Sequence, residues 1–290
     1  MKLLVKFNLL FLVVMLLGLG VSSVITRNLL QENAKDEVRN NARLMMEKAL
    51  AVRAYTSNQI TKLLQTQMKY EFLPQSVPSF SATEVLTSLQ GKYPDFAYKE
   101  ATLNPTNPRD RAVGWEVDIV QQFRSNAELK ETIGERETPS GSSLFVARPL
   151  RITNPACLEC HSSVEAAPKT LVDRYGTANG FGWQLNEVVG AQIVSVPMAL
   201  PMARAERSFR VFMAAQVGVF VAVGIVLNLM IWLVIVRPVL RLADLADRVS
   251  QGDLEAPEFG GGGKDEIGVL AASFSRMRAS VMQAMKMLDT

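Results

Sequence analysis

Cys157-Leu158-Glu159-Cys160-His161 holds both cysteines and the single histidine of the 290-residue chain. C-x-x-C-H is the attachment pattern of a c-type haem. The chemistry sets the spacing. Two thiols reach two vinyl groups on one porphyrin edge and form thioethers, and the residue after the second thiol ligates the iron from the proximal side. Cys157 and Cys160 are therefore candidate thioether residues and His161 the candidate iron ligand, for one covalent haem c. Three competing readings are weaker. A thioredoxin-like pair needs a βαβ setting, and here Pro155 precedes the motif. A zinc site needs about four ligands, which carboxylates would have to complete. A disulfide across two residues leaves His161 unexplained. The distal position stays open between Met, Tyr, Lys, water and nothing. Met45, Met46 and Tyr55 lie on one predicted helix, and Met198 and Met202 lie near a second apolar block. Arg148 and Arg151 just before the motif are candidate contacts for haem propionates, since guanidinium suits planar oxyanions.

The apolar fraction of 48% is concentrated in two charge-free blocks. Residues 7–25 would make a helix about 28 Å long, close to a bilayer core of about 30 Å. The block resembles a signal peptide but lacks an A-x-A site, and whether it is ever cleaved stays open. Residues 211–236 form the second block, polar only at Gln216 and Asn228. Basic flanks do not orient the pair uniquely. Lys2, Lys6, Arg237 and Arg241 place both termini in the cytoplasm, whereas Arg204, Arg207 and Arg210 oppose this. Haem attachment takes place outside the cytoplasmic membrane, and that breaks the tie. The expected division is 1–6 cytoplasmic, 7–27 first span, 28–210 extracytoplasmic, 211–236 second span and 237–290 cytoplasmic. The expected location is a bacterial inner membrane with a periplasmic domain. A net charge of +3, from 31 basic and 28 acidic residues, argues against a nucleic-acid partner.

Between the blocks, residues 28–72 lack Pro and Gly and repeat Ala34, Val38, Ala42, Met45, Ala49 and Val52 at helical spacing. This predicts one long amphipathic helix ended by Pro74. Ser81 and Glu84 form a capping-box pattern, predicting a short helix from Ser81 to a stop at Gly91. Residues 98–103, 115–120, 144–152 and 191–196 read as strands. Asn104-Pro105-Thr106-Asn107-Pro108 is a turn-rich loop. The helix-then-strand order predicts an α+β domain.

After Pro238 two amphipathic helices are expected. One carries Val239, Leu242, Ala246 and Val249. The other carries Ile267, Leu270, Phe274, Met277, Val281, Ala284 and Leu288, a heptad seam. Between them lie Gly252-Asp253-Leu254 and a Gly tract at 260–263. An amphipathic pair lying on the membrane is the alternative. Pro238 just past the span, Gly252-Asp253 and Asp265-Glu266-Ile267-Gly268 resemble a HAMP domain. That resemblance implies a parallel dimeric four-helix bundle relaying conformational change. Residues 101–108, the motif at 157–161, Tyr175-Gly176 and Gly180-Phe181-Gly182-Trp183 resemble the c-type haem sensor family long described only as a domain of unknown function. This second resemblance covers about residues 30 to 200 and implies a PAS-like fold. Some of its relatives use a cysteine on the N-terminal helix as distal ligand. Here both cysteines belong to the motif, and Tyr55 is the candidate in the matching neighbourhood.

The expectation is a transmembrane sensor of redox state or a small gas. It would signal as a homodimer, through HAMP and the long N-terminal helix, to a separate cytoplasmic protein. The chain stops soon after the HAMP-like segment and its single His is in the motif, so histidine-kinase phosphotransfer and enzyme activity are not expected. The alternatives are a membrane-anchored electron-transfer cytochrome and a receptor for a soluble ligand with a structural haem.

Overall fold

The computed structural model describes residues 3–139, 141–253, 257 and 265–288. Lys2, Leu254 and the 260–263 tract lie outside them. The chain divides into two compact units, residues 27–208 and residues 1–26 with 209–290.

Helix α1, Leu3–Tyr55, opens the chain and runs through a π-helical turn, Thr56–Ile60, into α2, Thr61–Met68. Its early residues are apolar all round. From Ala34 onward the buried positions narrow to one stripe, Ala34, Val38, Ala42, Met45, Met46 and Ala49. Helix α3, Pro78–Gln90, follows, then β1, Ala97–Thr102, and α4, Trp115–Ser125. Next come β2, Thr132–Thr138, and β3, Gly141–Arg151. Two short helices, α5, Leu158–His161, and α6, Lys169–Tyr175, precede β4, Val188–Pro197.

The four strands form one antiparallel sheet in the order β1-β4-β3-β2, the α+β, PAS-like arrangement that was expected. β4 is central, and most of Val188–Pro197 is buried, matching its nearly continuous apolar run. One sheet face, with Leu144, Val146, Val194 and Val196, packs on the α1 stripe and on Ala82 and Leu86 of α3. The other, with Ala101, Ala147, Ala191 and Ile193, packs on Ile119, Val120 and Phe123 of α4. Burying a side chain such as Met46 or Phe123 contributes roughly 1.5–3 kcal/mol.

Four readings differ from the structure. Residues 115–120 are not a strand but the start of α4. Their apolar positions continue as Trp115, Ile119, Val120 and Phe123, a helical spacing, and Glu116 and Asp118 in the first turn suit a helix N-terminus. β2 carries a single large apolar residue, Ile133, because it is an edge strand, and alternation alone did not expose it. α3 begins at Pro78 rather than Ser81, with Pro in its first turn, and the Ser81 hydroxyl donates to the Gln75 carbonyl instead of capping. The long helix ends near Met68, and its π turn was not foreseen.

In the other unit, α1 and α7, Ala199–Ile231, are long and apolar enough to cross a membrane. The side chains of Asn8 and Asn228 exchange two amide hydrogen bonds of 2.7 Å. The Ser22 hydroxyl donates to Gln216 Oε1 at 2.9 Å. A Cβ at Gly224 would come 3.1 Å from the Phe11 ring, and one at Gly18 3.8 Å from Phe220. Polar pairs of this kind contribute roughly 0.6–2 kcal/mol in a bilayer, and paired small residues let helices approach closely. The only polar residues of the second block thus set the register of the two spans.

A second π turn, Trp232–Val236, leads into α8, Arg237–Ser250, with Pro238 in its first turn. Gly252, at φ +95°, ends that helix, and Asp253 pairs with Arg248. Asp265 caps α9, Glu266–Leu288, by accepting from the Gly268 amide at 2.8 Å. The local signals Gly252-Asp253 and Asp265-Glu266-Ile267-Gly268 are therefore a helix stop and a helix start. Leu270, Met277 and Val281 of the seam are exposed in the single chain.

Gly190 sits where β4 crosses β1. A Cβ there would meet the Ala101 carbonyl oxygen at 2.4 Å, a backbone atom that cannot move aside. Gly190→Ala should lower stability by about 1–3 kcal/mol, read as a fall in the thermal midpoint of the solubilised chain.

Candidate functional site

The motif hangs from the end of β3. Asn154 accepts the Ala156 amide at 3.0 Å and starts a tight turn, Pro155–Cys157, that runs directly into α5. Cys157, Cys160 and His161 therefore stand at positions i, i+3 and i+4 of one helical turn and share a side of it. Both thiols are free and half-buried. Burial pushes both thiols up, while the charge of Arg53 pulls Cys157 the other way.

His161 is held from behind. Its Nδ1 lies 2.7 Å from the Gly180 carbonyl oxygen, and its ring stacks on Trp183 at 4.0 Å between centroids and 14° between planes. The Gly182 and Trp183 amides donate to the carbonyls of Ser162 and His161. A carbonyl can only accept, so Nδ1 carries the proton and Nε2 keeps its lone pair. Burial also pushes the His161 pKa down, which favours the neutral ring. This is the tautomer and orientation that a metal-ligating imidazole requires, set by a partner behind the ligand.

The backing loop is built by residues that had no assigned role in the sequence. Asn104 bridges it, accepting from the Gly180 amide and donating to the Phe181 carbonyl, each at 3.2 Å. Thr106 lies against Gly180, where a Cβ would come 2.0 Å from the Thr106 hydroxyl, and Gly180 itself has φ +88°. Only glycine meets both conditions. These residues belong to the two stretches, 101–108 and 180–183, that carried the family resemblance. Their recurrence was the available signal, and their contact with each other was not.

α1 is tied to the sheet through Arg53. Its guanidinium donates to Glu100 at 2.6 Å, and Glu100 is 2% exposed. Tyr98 donates to the same carboxylate at 2.7 Å, and Gln192 donates to the Tyr98 hydroxyl at 3.1 Å. Burial, then the charge of Glu100, raises the Tyr98 pKa, so that hydroxyl stays a donor. Sequence reasoning missed this network, because its members lie on α1, β1 and β4.

The other sequence candidates lie elsewhere. Tyr55 is 61% exposed and, two residues from Arg53, points to the other side of α1. Met45, Met46 and Met198 are buried in the α1–sheet core, with Met202 packed against it. Arg148 is engaged by Glu47 at 2.7 Å and Glu131 at 3.1 Å. Arg151 donates to the carbonyls of Asn186 and Ala127. Among the described residues, no group of three His, Cys, Asp or Glu side chains could hold a metal ion, so the motif lacks partners for a zinc site. The donor set fits a macrocycle that supplies its own four equatorial nitrogens and needs two thiols and one imidazole.

A family model described as Tll0287-like matches residues 31–197. The chain belongs to the Tll0287-like family. A HAMP domain model matches residues 230–283. The chain is also similar to a solved structure described as the cyanobacterial heme-protein Tll0287, with 15% identity over 56% of this chain and 95% of that one and a TM-score of 0.44. No curated protein matches it. A family domain of this kind joined to a HAMP domain, with two helices able to cross a membrane, makes the chain a membrane sensor of the signalling class.

Removing the Arg53 cation leaves Glu100 buried with an uncompensated charge. Arg53→Met should cost about 3–5 kcal/mol and lower the thermal midpoint of the solubilised chain by roughly 6–20 °C. Glu100→Gln with Arg53→Met together should recover a large part of that loss.

Proposed function

We propose that this chain is a transmembrane sensor that holds one covalent c-type haem through Cys157, Cys160 and His161 and reports its state through the HAMP domain to a separate cytoplasmic protein. One observation carries the reading: the His161 Nδ1 contact to Gly180 presents a neutral Nε2 beside two free thiols on the same helical turn. When bound, the haem would supply an iron centre that responds to redox poise or to a small gas. His161 would ligate it, and Trp183 and Gly180 fix the angle of the imidazole ring. The domain lies in the periplasm, where haem attachment takes place, and both termini lie in the cytoplasm.

The Arg53–Glu100 pair ties the sheet, from whose β3 the motif hangs, to α1, the helix that also carries the first apolar block. A change at a bound haem would act through the sheet on how α1 packs. Paired spans with a set register then carry a displacement as a unit, and α8 and α9 choose between two packings. The exposed seam at Leu270, Met277 and Val281 supports a homodimer through HAMP, since one chain leaves it uncovered. No catalytic role is assigned to the chain.

The purified chain, expressed with haem-attachment machinery, should show haem-linked colour on a denaturing gel and one haem per chain by pyridine haemochrome. Cys157→Ser should leave a spectrum of one thioether, and His161→Ala should lose most of the haem. A full-length preparation without covalent haem would overturn the proposal. For the relay, cysteines placed at Met277 should cross-link at different rates in oxidised and reduced protein, or with and without carbon monoxide. Identical rates in all four states would leave an electron-transfer cytochrome as the better reading, with function retained after removal of residues 237–290.

A further inference from the structure

Helix α1 covers β3 and β4 but leaves a wedge over the β2 edge. The wedge has a volume of about 670 Å³. Lys35, Arg39 and Arg43 line its helix side at four-residue spacing, so all three stand on one face. Ile133 of β2, 36% exposed, is the accessible apolar residue of the floor, with Leu144 of β3 buried beneath it. A single lining carboxylate, Glu135, opposes the three cations. The volume lies within the usual range for a small-ligand pocket, and the lining is more charged than most, which favours an anionic ligand.

The cations already show which chemistry they accept. Lys35 Nζ donates to Glu135 at 2.9 Å across the wedge. Arg43 donates through Nε and Nη2 to one oxygen of Glu131, at 2.9 and 2.7 Å. Arg39 is paired with Asp36 on its own helix, an exposed pair worth little in water. Its guanidinium is the one that an incoming anion gains at least cost. The exposed Glu135 is a displaceable stand-in on Lys35.

We infer that this wedge binds a small carboxylate with an apolar body, its carboxylate between Arg39 and Lys35 and its body on Ile133. The site is separate from the motif, and the inference does not rest on the haem reading. A ligand there would join α1 to the sheet edge and so give the same helix a second input.

Calorimetric titration of the full-length detergent-solubilised chain with benzoate and with hexanoate tests it. Saturable binding of at least one is expected, weakened about tenfold by Arg39→Gln through loss of a charged hydrogen bond. Glu135→Gln, which frees Lys35, should tighten binding, and Ile133→Thr, which keeps a β-branched side chain in the strand, should weaken binding of hexanoate more than it lowers the thermal midpoint of the unliganded protein. No saturable binding of either carboxylate would overturn the inference. So would binding that Arg39→Gln and Glu135→Gln leave unchanged. Inorganic phosphate binding in place of the carboxylates would show a bare anion site. Binding only to phosphatidylglycerol nanodiscs would show a lipid contact. Either result would overturn it as well.

Discussion

The hydrogen bond between His161 and the Gly180 carbonyl is the constraint on which the site depends. It selects one imidazole tautomer, and it ties the motif helix to a loop more than a dozen residues further along the chain. That loop holds its position only because Asn104 and Thr106 reach it from the far end of β1. Sheet, loop and motif therefore close on one another, and the fold itself fixes the orientation of the imidazole ring.

A buried ion pair ties the same sheet to α1. Arg53 and Glu100 are costly to bury, and an apolar pair of similar shape would hold helix and sheet together at least as well. The pair offers instead a directional link, since a guanidinium on a carboxylate fixes orientation as well as distance. The amide pair between Asn8 and Asn228 has a similar character within the spans, since it specifies register where apolar surface alone would tolerate sliding.

Legibility in the sequence followed the range of the interactions. The motif, both apolar blocks, the α1 stripe and strands β1, β3 and β4 are written in adjacent or periodic residues, and they were readable. The Asp265 cap and the Gly252 stop were visible as local patterns. α4 was misread because Trp115, Val117 and Ile119 satisfy a strand's alternation over five residues, and the helical period emerges only when Val120 and Phe123 are included. β2 was missed because a polar edge strand buries little. The Arg53–Glu100–Tyr98–Gln192 network and the Asn104–Gly180 bridge join residues far apart in sequence, and neither periodicity nor spacing carries that information. Arg148 was singled out for its place beside the motif in the chain, yet its neighbours in space are Glu47 and Glu131.

The two π turns, Thr56–Ile60 and Trp232–Val236, each hold one more residue than an α-helical turn would. One lies just after Arg53 and the other just before α8. Each residue of a helix advances its face by about 100°. A turn with a surplus residue is therefore a stored quarter-rotation. Tightening it to α-helical winding would swing everything downstream by that angle while the helix stays continuous. At Trp232–Val236 what lies downstream is the apolar seam of the HAMP helices. The chain thus has, one turn before its HAMP helices, a place where a change of winding would turn them without breaking the continuous helix.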